Sequence, residues 1–297
     1  MAARRIRTNL ADLARARLAR RDERRAARGV LRARREQHAA YREAVEGALP
    51  YLASVRAPSL PIPGALGREL SVATYNVHRW QGLNGVRAPD PARAGFVISE
   101  VGADITALQE VLRPFGEPDP LERLADSLRL HLAFVATRVH RLGEVGNAIL
   151  SRWPITSVFA LDLSFSRVER RAAVAVQFSG VGGTLAVVAT HLALVDRTRR
   201  QQVASILSHP QLQGAVLLAG DLNAWRRCEA TRTLERELVG QESVAWPRSF
   251  PSARPVLALD RIYARGAEML EVAAHDTAAA RRASDHLPIV ARVRLSA

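Results

Sequence analysis

The chain has 297 residues, 48% of them hydrophobic, and a formal net charge of +14. All 43 basic residues are arginines, whose planar guanidinium groups suit phosphate recognition. The only cysteine, Cys228, excludes an intrachain disulfide and a zinc site built from several cysteines. No stretch approaches the roughly 18 uninterrupted apolar residues of a membrane span, and no apolar segment follows the N-terminal arginines as in a secretory signal. We therefore expect a cytoplasmic protein with a large hydrophobic core.

The first 57 residues predict a helical extension, because they are rich in Ala, Arg, Leu and Glu and contain a single proline, Pro50. They carry 15 Arg against six acidic residues, a net charge of +9. A basic amphipathic helix can lie on an anionic membrane or on nucleic acid. The narrow apolar stripes favour the alternative, a solvated extension that packs on its own domain or on a second copy. Residues 58–68 follow as a linker rich in Pro and Gly.

From residue 69 to residue 297, short apolar runs separated by turns predict a domain rich in strands. Predicted strands lie at Leu70–Val77, Asp104–Gln109, Leu132–Thr137, Asn147–Leu150, Ile155–Leu163, Ala172–Phe178, Leu185–Ala189, Ala215–Ala219, Val256–Tyr263 and Leu287–Val293. Helical patterns lie at Pro91–Val101, Leu121–Leu128, Arg197–Leu207 and Arg226–Leu238. Because several strands follow one another without a helix, we predict an α+β fold with two packed mixed sheets flanked by helices.

Two polar residues at strand ends predict a metal site. Glu110 ends the apolar run before it, and a carboxylate facing a cleft is a natural ligand for Mg²⁺. Asn76 ends another strand and offers an amide oxygen to the same ion. The competing interpretation is that Glu110 caps the next segment and Asn76 makes a local turn.

A second polar pair, Asp221 and Asn223, follows a fully apolar run. On an extended segment residues i and i+2 point the same way, so these side chains are expected on one face. Asp221 can then accept a proton from an attacking water, while Asn223 holds that water or a phosphate oxygen. An Asx turn after the strand is the structural alternative.

Two histidines at strand ends, His191 and His286, suit phosphate chemistry, because imidazole can donate to a phosphate oxygen or accept a proton from water. Asp260 is a candidate carboxylate to orient His286. The remaining histidines do not accompany candidate site residues in this way and are not assigned a role: His38, His78, His131, His140, His209 and His275.

Tryptophans and arginines lie near these strand ends. Three tryptophans can stack on a base or line the site, although packing in the hydrophobic core is at least as good an interpretation: Trp80, Trp153 and Trp225. Four arginines can guide an anionic substrate, with surface solvation as the default: Arg170, Arg171, Arg281 and Arg282.

Seven short motifs in order along the chain resemble the endonuclease/exonuclease/phosphatase superfamily, the DNase I-like metal phosphoesterases. They are Thr74-Tyr75-Asn76-Val77, Leu108-Gln109-Glu110-Val111, Gly146-Asn147-Ala148-Ile149-Leu150-Ser151, Thr190-His191-Leu192, Gly220-Asp221-Leu222-Asn223, Leu259-Asp260-Arg261-Ile262 and Ser284-Asp285-His286-Leu287-Pro288. The resemblance runs from about residue 69 to residue 296. The segment 249–255 looks like a small bacterial branch of this superfamily.

The resemblance implies a four-layer sandwich with the site at the common edge of two central sheets. It implies a divalent metal, Mg²⁺ or Mn²⁺, held by Asn76 and Glu110 with Asp285 nearby. It also implies that His191 and His286 contact the scissile phosphate and that Asn147 binds substrate. By the same analogy Asp221 and Asn223 orient the attacking water and the phosphate, and Asp260 supports His286.

Three functions remain open at this point. The first is a metal-dependent phosphodiesterase acting on nucleic acid, which the basic charge favours. The second is a phosphoesterase for phospholipid or another small substrate, with the basic extension on an anionic leaflet. The third is a non-catalytic binding module, against which the complete polar set argues. Because His191 follows Thr190, the resemblance is to DNase I-like and sphingomyelinase-like members rather than to abasic-site endonucleases.

Overall fold

The computed structural model describes residues 53–85, 88–115, 119–165, 169–180, 183–239 and 245–296, together with the separate residues 29, 32, 36, 39, 40, 43 and 49. The chain divides into two compact units, Met1–Gly47 and Ala48–Ala297. The six described residues of the first unit are helical. Most of the predicted helical extension therefore lies outside the described residues.

The second unit contains two β-sheets, with twelve strands among its described residues. The seven-stranded sheet has the order β1 (Ala53–Arg56), β4 (His131–His140), β5 (Gly143–Ser151), β3 (Ile105–Pro114), β2 (Glu69–Asn76), β12 (Ile289–Leu295) and β11 (Ala267–Ala274). The five-stranded sheet has the order β10 (Asp260–Arg265), β9 (Ala215–Asp221), β8 (Gly183–His191), β7 (Ala172–Gly180) and β6 (Ser157–Asp162). Both are mixed: β2 runs parallel to β3, β8 runs parallel to β9, and the other pairs are antiparallel.

The core lies between the two sheets. One buried cluster joins Ile105 and Val135 of the first sheet to Val174 and Leu217 of the second. Burial of such aliphatic side chains is the main force that holds two sheets face to face.

Helices cover the outer faces of both sheets. Those of the described residues are α1 (Pro91–Val101), α2 (Pro120–Ser127), α3 (Asp196–Leu207), α4 (Glu229–Leu234) and α5 (Ala280–Ala283). On the five-stranded sheet, Val203 and Ile206 of α3 pack against Val188 and Leu218. On the other sheet α2 contacts β3 and β4. Helices outside and sheets inside make four layers, which confirms the predicted fold class.

Most predicted strands and helices are present, but two strands were missed. Residues 53–56 were assigned to the helical extension and instead form β1, which pairs with β4 along the sheet edge. The segment Ala267–Ala274 is rich in Ala, Glu, Met and Leu, yet it forms β11 because it pairs with β12 in a ladder that is interrupted between Met269 and Glu271. The predicted linker also makes specific contacts, since the Ser59 amide donates to Asp126 at 2.6 Å.

Two other predicted elements differ in their bounds. The predicted helix at residues 226–238 begins at Glu229 and ends in a π-helical turn, Glu235–Val239. The predicted strand at residues 256–263 begins only at Asp260, where pairing with β9 starts. Among the described residues, no helix is both long enough and apolar enough to cross a bilayer.

The topology brings the predicted strand ends to one edge. In the first sheet Asn76, at the end of β2, pairs with Gln109 beside Glu110. In the second sheet His191, at the end of β8, pairs with Asp221 at the end of β9. Parallel neighbours end on the same side, so each sheet presents its polar residues at one rim.

Candidate active site

A hydrogen bond joins the polar rims of the two sheets. Asn76 Nδ2 of the seven-stranded sheet donates to Asp221 Oδ2 of the five-stranded sheet at 3.1 Å. Both side chains are buried, at 2% exposure each. Buried polar groups are costly unless they are paired, so this contact fixes the sheets relative to each other at the site.

Asp221 Oδ2 is the point on which the site converges. Besides Asn76, His191 Nε2 lies 3.4 Å away and His286 Nε2 lies 3.7 Å away. Three nitrogen-bearing side chains from distant parts of the sequence therefore surround one carboxylate oxygen. The structure brings His191, His286 and Asp221 together at these distances, and their membership of an active site and their chemical roles stay predictions.

His286 forms a dyad with Asp260. Its Nδ1 lies 2.7 Å from Asp260 Oδ2, and that oxygen also accepts a hydrogen bond from Ser249 Oγ at 2.5 Å. Burial alone lowers the pKa of His286, but the negative charges of Asp260 and Asp221 outweigh burial and raise this pKa to about 10. The imidazole is thus protonated near neutral pH, and Nε2–H can donate toward the site.

His191 has the opposite protonation state. Burial, with a smaller contribution from the positive charge of Arg171, lowers the pKa of His191 to about 3. His191 is therefore a neutral imidazole, and its Nε2-protonated tautomer can donate to Asp221. One cationic and one neutral imidazole stand on either side of the same carboxylate, an arrangement common where charge develops during a reaction.

Asp221 and Asn223 are linked by an Asx turn. Asp221 Oδ1 accepts the Asn223 amide at 2.9 Å, and Asn223 has a left-handed φ of 51°. The expectation of an extended segment with both side chains on one face was wrong, because β9 ends at Asp221. The turn and the site nevertheless coexist: Oδ1 holds the turn and Oδ2 faces the histidines. The side chain of Asn223 donates to the Leu192 carbonyl at 2.9 Å.

Glu110 lies in a break within β3 rather than at its end. The register shifts between Leu108 and Val111, and Glu110 has a φ of 52°. Such a bulge turns a side chain out of the ladder. Glu110 Oε2 is a buried atom without a hydrogen-bond partner among the described residues, and Arg79 Nε lies 3.5 Å from it.

These residues fit a divalent cation. A buried carboxylate oxygen without a hydrogen bond at Glu110, an amide oxygen at Asn76 and a carboxylate at Asp285 make a set of hard oxygen donors. Ser284 Oγ connects two of them, donating to the Asn76 carbonyl at 2.6 Å and lying 3.3 Å from Asp285 Oδ1. Asn76 Oδ1 accepts the amide of His78 at 3.0 Å and keeps a second lone pair for a ligand.

A second set of ligand-type atoms belongs to Asp221, Asp260 and His286, which lie within 4.8 Å of one another. In this cluster Asp260 Oδ2 is already engaged by His286 Nδ1 at 2.7 Å and by Ser249 Oγ at 2.5 Å. We interpret this cluster as a hydrogen-bonded acid–base group, and a metal held by the oxygen donors around Glu110 stays a prediction.

Asn147 lies apart from this cluster of contacts. It is buried in β5, and its Nδ2 donates to the Ala172 carbonyl of the other sheet at 2.6 Å. One amide hydrogen is thus committed to joining the sheets, and substrate binding by Asn147 stays a prediction.

Sequence reasoning missed several residues that contact the site. His78 was unassigned, yet its Nδ1 lies 3.3 Å from Asp285 Oδ1. Arg79 reaches Glu110, Ser249 reaches Asp260, and the Phe250 ring packs on His286 at 4.9 Å between centroids. Proximity to Asn76 was the one available signal for His78 and Arg79; the Ser249 and Phe250 contacts depend on tertiary structure.

The tryptophans divide by exposure. Trp80 is fully buried and donates to the Leu112 carbonyl at 2.7 Å, and Trp153 belongs to the core between the sheets. Trp225 is 67% exposed. Of these three, Trp225 alone is open to solvent. Among the predicted guiding arginines, the positive charge of Arg171 lowers the pKa of His191, whereas Arg281 donates from Nε and Nη2 to Asp276, at 2.6 and 2.8 Å.

Comparison with known proteins identifies the fold as a phosphoesterase fold. The model of the Endonuclease/Exonuclease/phosphatase family matches residues 83–286. The chain belongs to this family.

Among the relatives, the chain is similar to the uncharacterized protein YbhP of Escherichia coli strain K12. The two are 31% identical over 219 residues, which cover 67% of this chain and 86% of YbhP. The family is therefore settled by sequence as well as by fold.

Solved structures share the fold. An endonuclease/exonuclease/phosphatase from Beutenbergia cavernae superposes with a TM-score of 0.62 at 23% identity, covering 77% of this chain and 72% of that one. The human Nocturnin catalytic domain with bound sulfate superposes with a TM-score of 0.61 at 18% identity, covering 82% of this chain and 98% of that one. D. rerio TDP2 complexed with single-strand DNA product superposes with a TM-score of 0.56 at 16% identity, covering 77% of this chain and 100% of that one.

Proposed function

We propose that this protein is a divalent-metal-dependent phosphodiesterase that hydrolyses a phosphate ester by in-line attack of water, with nucleic acid as its substrate. The observation that carries the proposal is the convergence of Asn76, His191 and His286 on Asp221 Oδ2. Such a set can receive a proton and neutralise phosphoryl charge in the same small volume.

In this proposal Asp221 is the general base. As the water oxygen bonds to phosphorus, its proton passes to Asp221 Oδ2. The bond to the leaving oxygen breaks, and that oxygen keeps the bonding electron pair and takes a proton from solvent. His286, kept cationic by Asp260, donates from Nε2 to a phosphoryl oxygen. Neutral His191 donates a hydrogen bond without adding a second charge beside Asp221.

Asn76, Glu110 and Asp285 would hold the metal in this proposal. When bound, a divalent cation supplies positive charge that stabilises the phosphoryl oxygens. Mg²⁺ matches an all-oxygen donor set, and Mn²⁺ accepts the same ligands. A cytoplasmic location also stays a prediction.

A phospholipid or small-molecule ester at the inner membrane surface is the alternative substrate. Leu194 and Val195 are 62% and 57% exposed in the loop after His191, and this adjacent apolar pair is available for contact with a lipid surface. Purified protein with Mg²⁺ should be tested on plasmid, single-stranded DNA, RNA, bis-p-nitrophenyl phosphate and phospholipid vesicles. Cleavage of the nucleic acids supports the proposal, whereas cleavage confined to vesicles would support the alternative.

Two substitutions test the assignment of chemistry. Glu110→Ala and His286→Ala should each abolish turnover, and Glu110→Ala should also weaken Mn²⁺ binding measured by calorimetry. Matched controls lie at the opposite end of the sheets: Glu69→Ala at the start of β2, and His209→Ala before β9. Full turnover in either test variant, with the fold intact by circular dichroism, would overturn the assignment.

A further inference from the structure

A groove opens beside the proposed active site, next to Asn223. It has a volume of about 890 Å³, and its lining includes Leu194, Asn223, Trp225, Arg226 and Arg232. Asn223 is hydrogen-bonded to Asp221, the proposed general base, so the groove adjoins the proposed site of hydrolysis. A substrate larger than one phosphate has to extend somewhere from that point, and this groove adjoins it.

Trp225 is the exposed aromatic side chain of this groove, with 67% of its surface open to solvent. A large ring left in water does not contribute to the core, and its aromatic face is open to a ligand. Aromatic rings at the edge of nucleic-acid sites serve as platforms on which bases stack.

The backbone that carries Trp225 is held rigidly by two buried arginines. Arg199 Nη1 donates to the Asn223 carbonyl at 3.0 Å and to the Leu194 carbonyl at 2.6 Å. Arg261 Nη2 donates to the Ala224 carbonyl at 3.1 Å. A ring on a fixed loop binds with little loss of conformational entropy, which is how preorganised contacts gain affinity.

The charge of the groove suits a phosphate backbone. Arg226 and Arg227 follow the tryptophan and are exposed, and Arg232 lines the same groove. Arg227 is paired with Glu235 at 2.8 Å and Arg232 with Glu229 at 3.9 Å, whereas Arg226 has no ion pair among the described residues. An aromatic platform beside an unpaired arginine matches a strand in which bases alternate with phosphates.

We propose that Trp225 stacks on a base of a single-stranded nucleic acid, next to the scissile phosphate, while Arg226 binds an adjacent backbone phosphate. This inference rests on the proposed function and adds a base-binding subsite to it. The stack is tolerant of base identity, because every base presents an aromatic face. The groove would therefore position a strand without reading its sequence.

The test uses short single-stranded oligodeoxynucleotides in which one nucleotide at a time is replaced by an abasic tetrahydrofuran residue. Binding is measured with Mg²⁺ in the His286→Ala background, so that the strand is not cleaved. At one position, loss of the base should weaken binding roughly 5- to 150-fold when Trp225 is present. With Trp225→Ala added, the same base should matter little, and Trp225→Phe should restore most of the dependence.

Phe96→Ala is the matched control, because Phe96 is 59% exposed on α1 and does not line the groove. It should keep the full base dependence. The proposal is overturned when Trp225→Ala retains that dependence, or when it loses affinity for phosphatidylglycerol vesicles instead of oligonucleotides. Base-dependent binding without hydrolysis of any diester would contradict the proposed function but support the base-binding subsite. Hydrolysis without base-dependent binding would support the proposed function but contradict the subsite.

Discussion

At the scale of single residues, the site depends on paired groups with opposite pKa shifts. His286 is held cationic by Asp260, and His191 is held neutral by burial. Neither shift is visible in the sequence, since an isolated histidine titrates near neutrality. The charge and hydrogen bond of Asp260, which His191 lacks, separate the two histidines chemically.

Asp260→Asn should remove the charge that keeps His286 protonated while preserving the shape of the side chain. Because general acid–base groups contribute roughly 10²- to 10⁴-fold to rate, kcat should fall within that range. The pH–rate profile should also change, because His286 loses the partner that raises its pKa. Asp126→Asn is the control, since Asp126 lies exposed on α2 and accepts the Ser59 amide far from the site. Unchanged kcat and pH profile in Asp260→Asn would refute the positioning role.

His191 should make the fold sensitive to acid. Its pKa is about 3 in the folded chain and 6.5 in the unfolded reference, so the unfolded state binds more protons between these values. Stability therefore rises with pH across this window and is lost as pH falls. The slope attributable to one proton is about 1.4 kcal/mol per pH unit.

Urea unfolding of the wild type and of His191→Gln between these pH limits measures the effect. The free energy of unfolding of the variant should depend less steeply on pH, whatever its absolute value. Equal slopes would show that His191 is not held neutral in the folded chain.

At the scale of elements, backbone strain is concentrated where the polar side chains meet. Left-handed φ angles occur at Glu110, at Asn223 and in three successive residues, His78, Arg79 and Trp80. Such conformations cost of order 1–3 kcal/mol each and persist where packing enforces them. The surrounding sheets hold these turns and thereby aim Asn76, Glu110 and Asp221.

Gly220 allows β8 and β9 to approach at the site. A Cβ at this position would lie 2.0 Å from the Thr190 carbonyl oxygen, which is a severe clash with backbone. Gly220→Ala should therefore destabilise the domain by about 1–3 kcal/mol or more, and it should lower activity by moving Asp221 away from His191.

Gly214→Ala is the matched control for this clash, because nothing lies within 4 Å of a Cβ built there. Chemical denaturation should find its stability within about 0.5 kcal/mol of wild type. Similar costs for both variants would mean that the close strand approach is not the reason for glycine at position 220.

At the scale of the whole molecule, the second compact unit begins at Ala48 and includes β1. Removing residues 1–57 would delete β1 and its ladder with β4, whereas removing residues 1–47 spares every described strand. We expect residues 48–297 to keep the unfolding free energy of the full chain and residues 58–297 to lose part of it, measured by urea titration. Equal stability of the two truncated chains would contradict a stabilising role for β1.

The extension should also contribute to polyanion binding. Residues 1–47 carry 14 arginines and six acidic residues, a net of +8 out of the chain's +14. Neutralised phosphates release counterions, so removing these residues should weaken binding to single-stranded DNA and flatten its dependence on salt. Affinities measured at several salt concentrations for the full chain and residues 48–297 test this, and an unchanged salt slope would count against it.

Much of this protein could be read from its sequence. Apolar runs predicted most strands, and polar residues at their ends predicted the membership of the site, because a burial pattern is local and strand ends are marked by the change from apolar to polar. The pattern of apolar residues did not predict the strands β1 and β11, because each is stabilised by pairing with another strand, β4 and β12 respectively.

Tertiary structure alone decided how the site residues are arranged. It placed Glu110 in a bulge, made Asp221 serve a turn and two histidines at once, and gave His191 and His286 opposite protonation states. It also separated exposed Trp225 from buried Trp80 and Trp153. Each of these depends on distances between segments that are far apart along the chain, and pKa, burial and strain follow from such distances rather than from residue type.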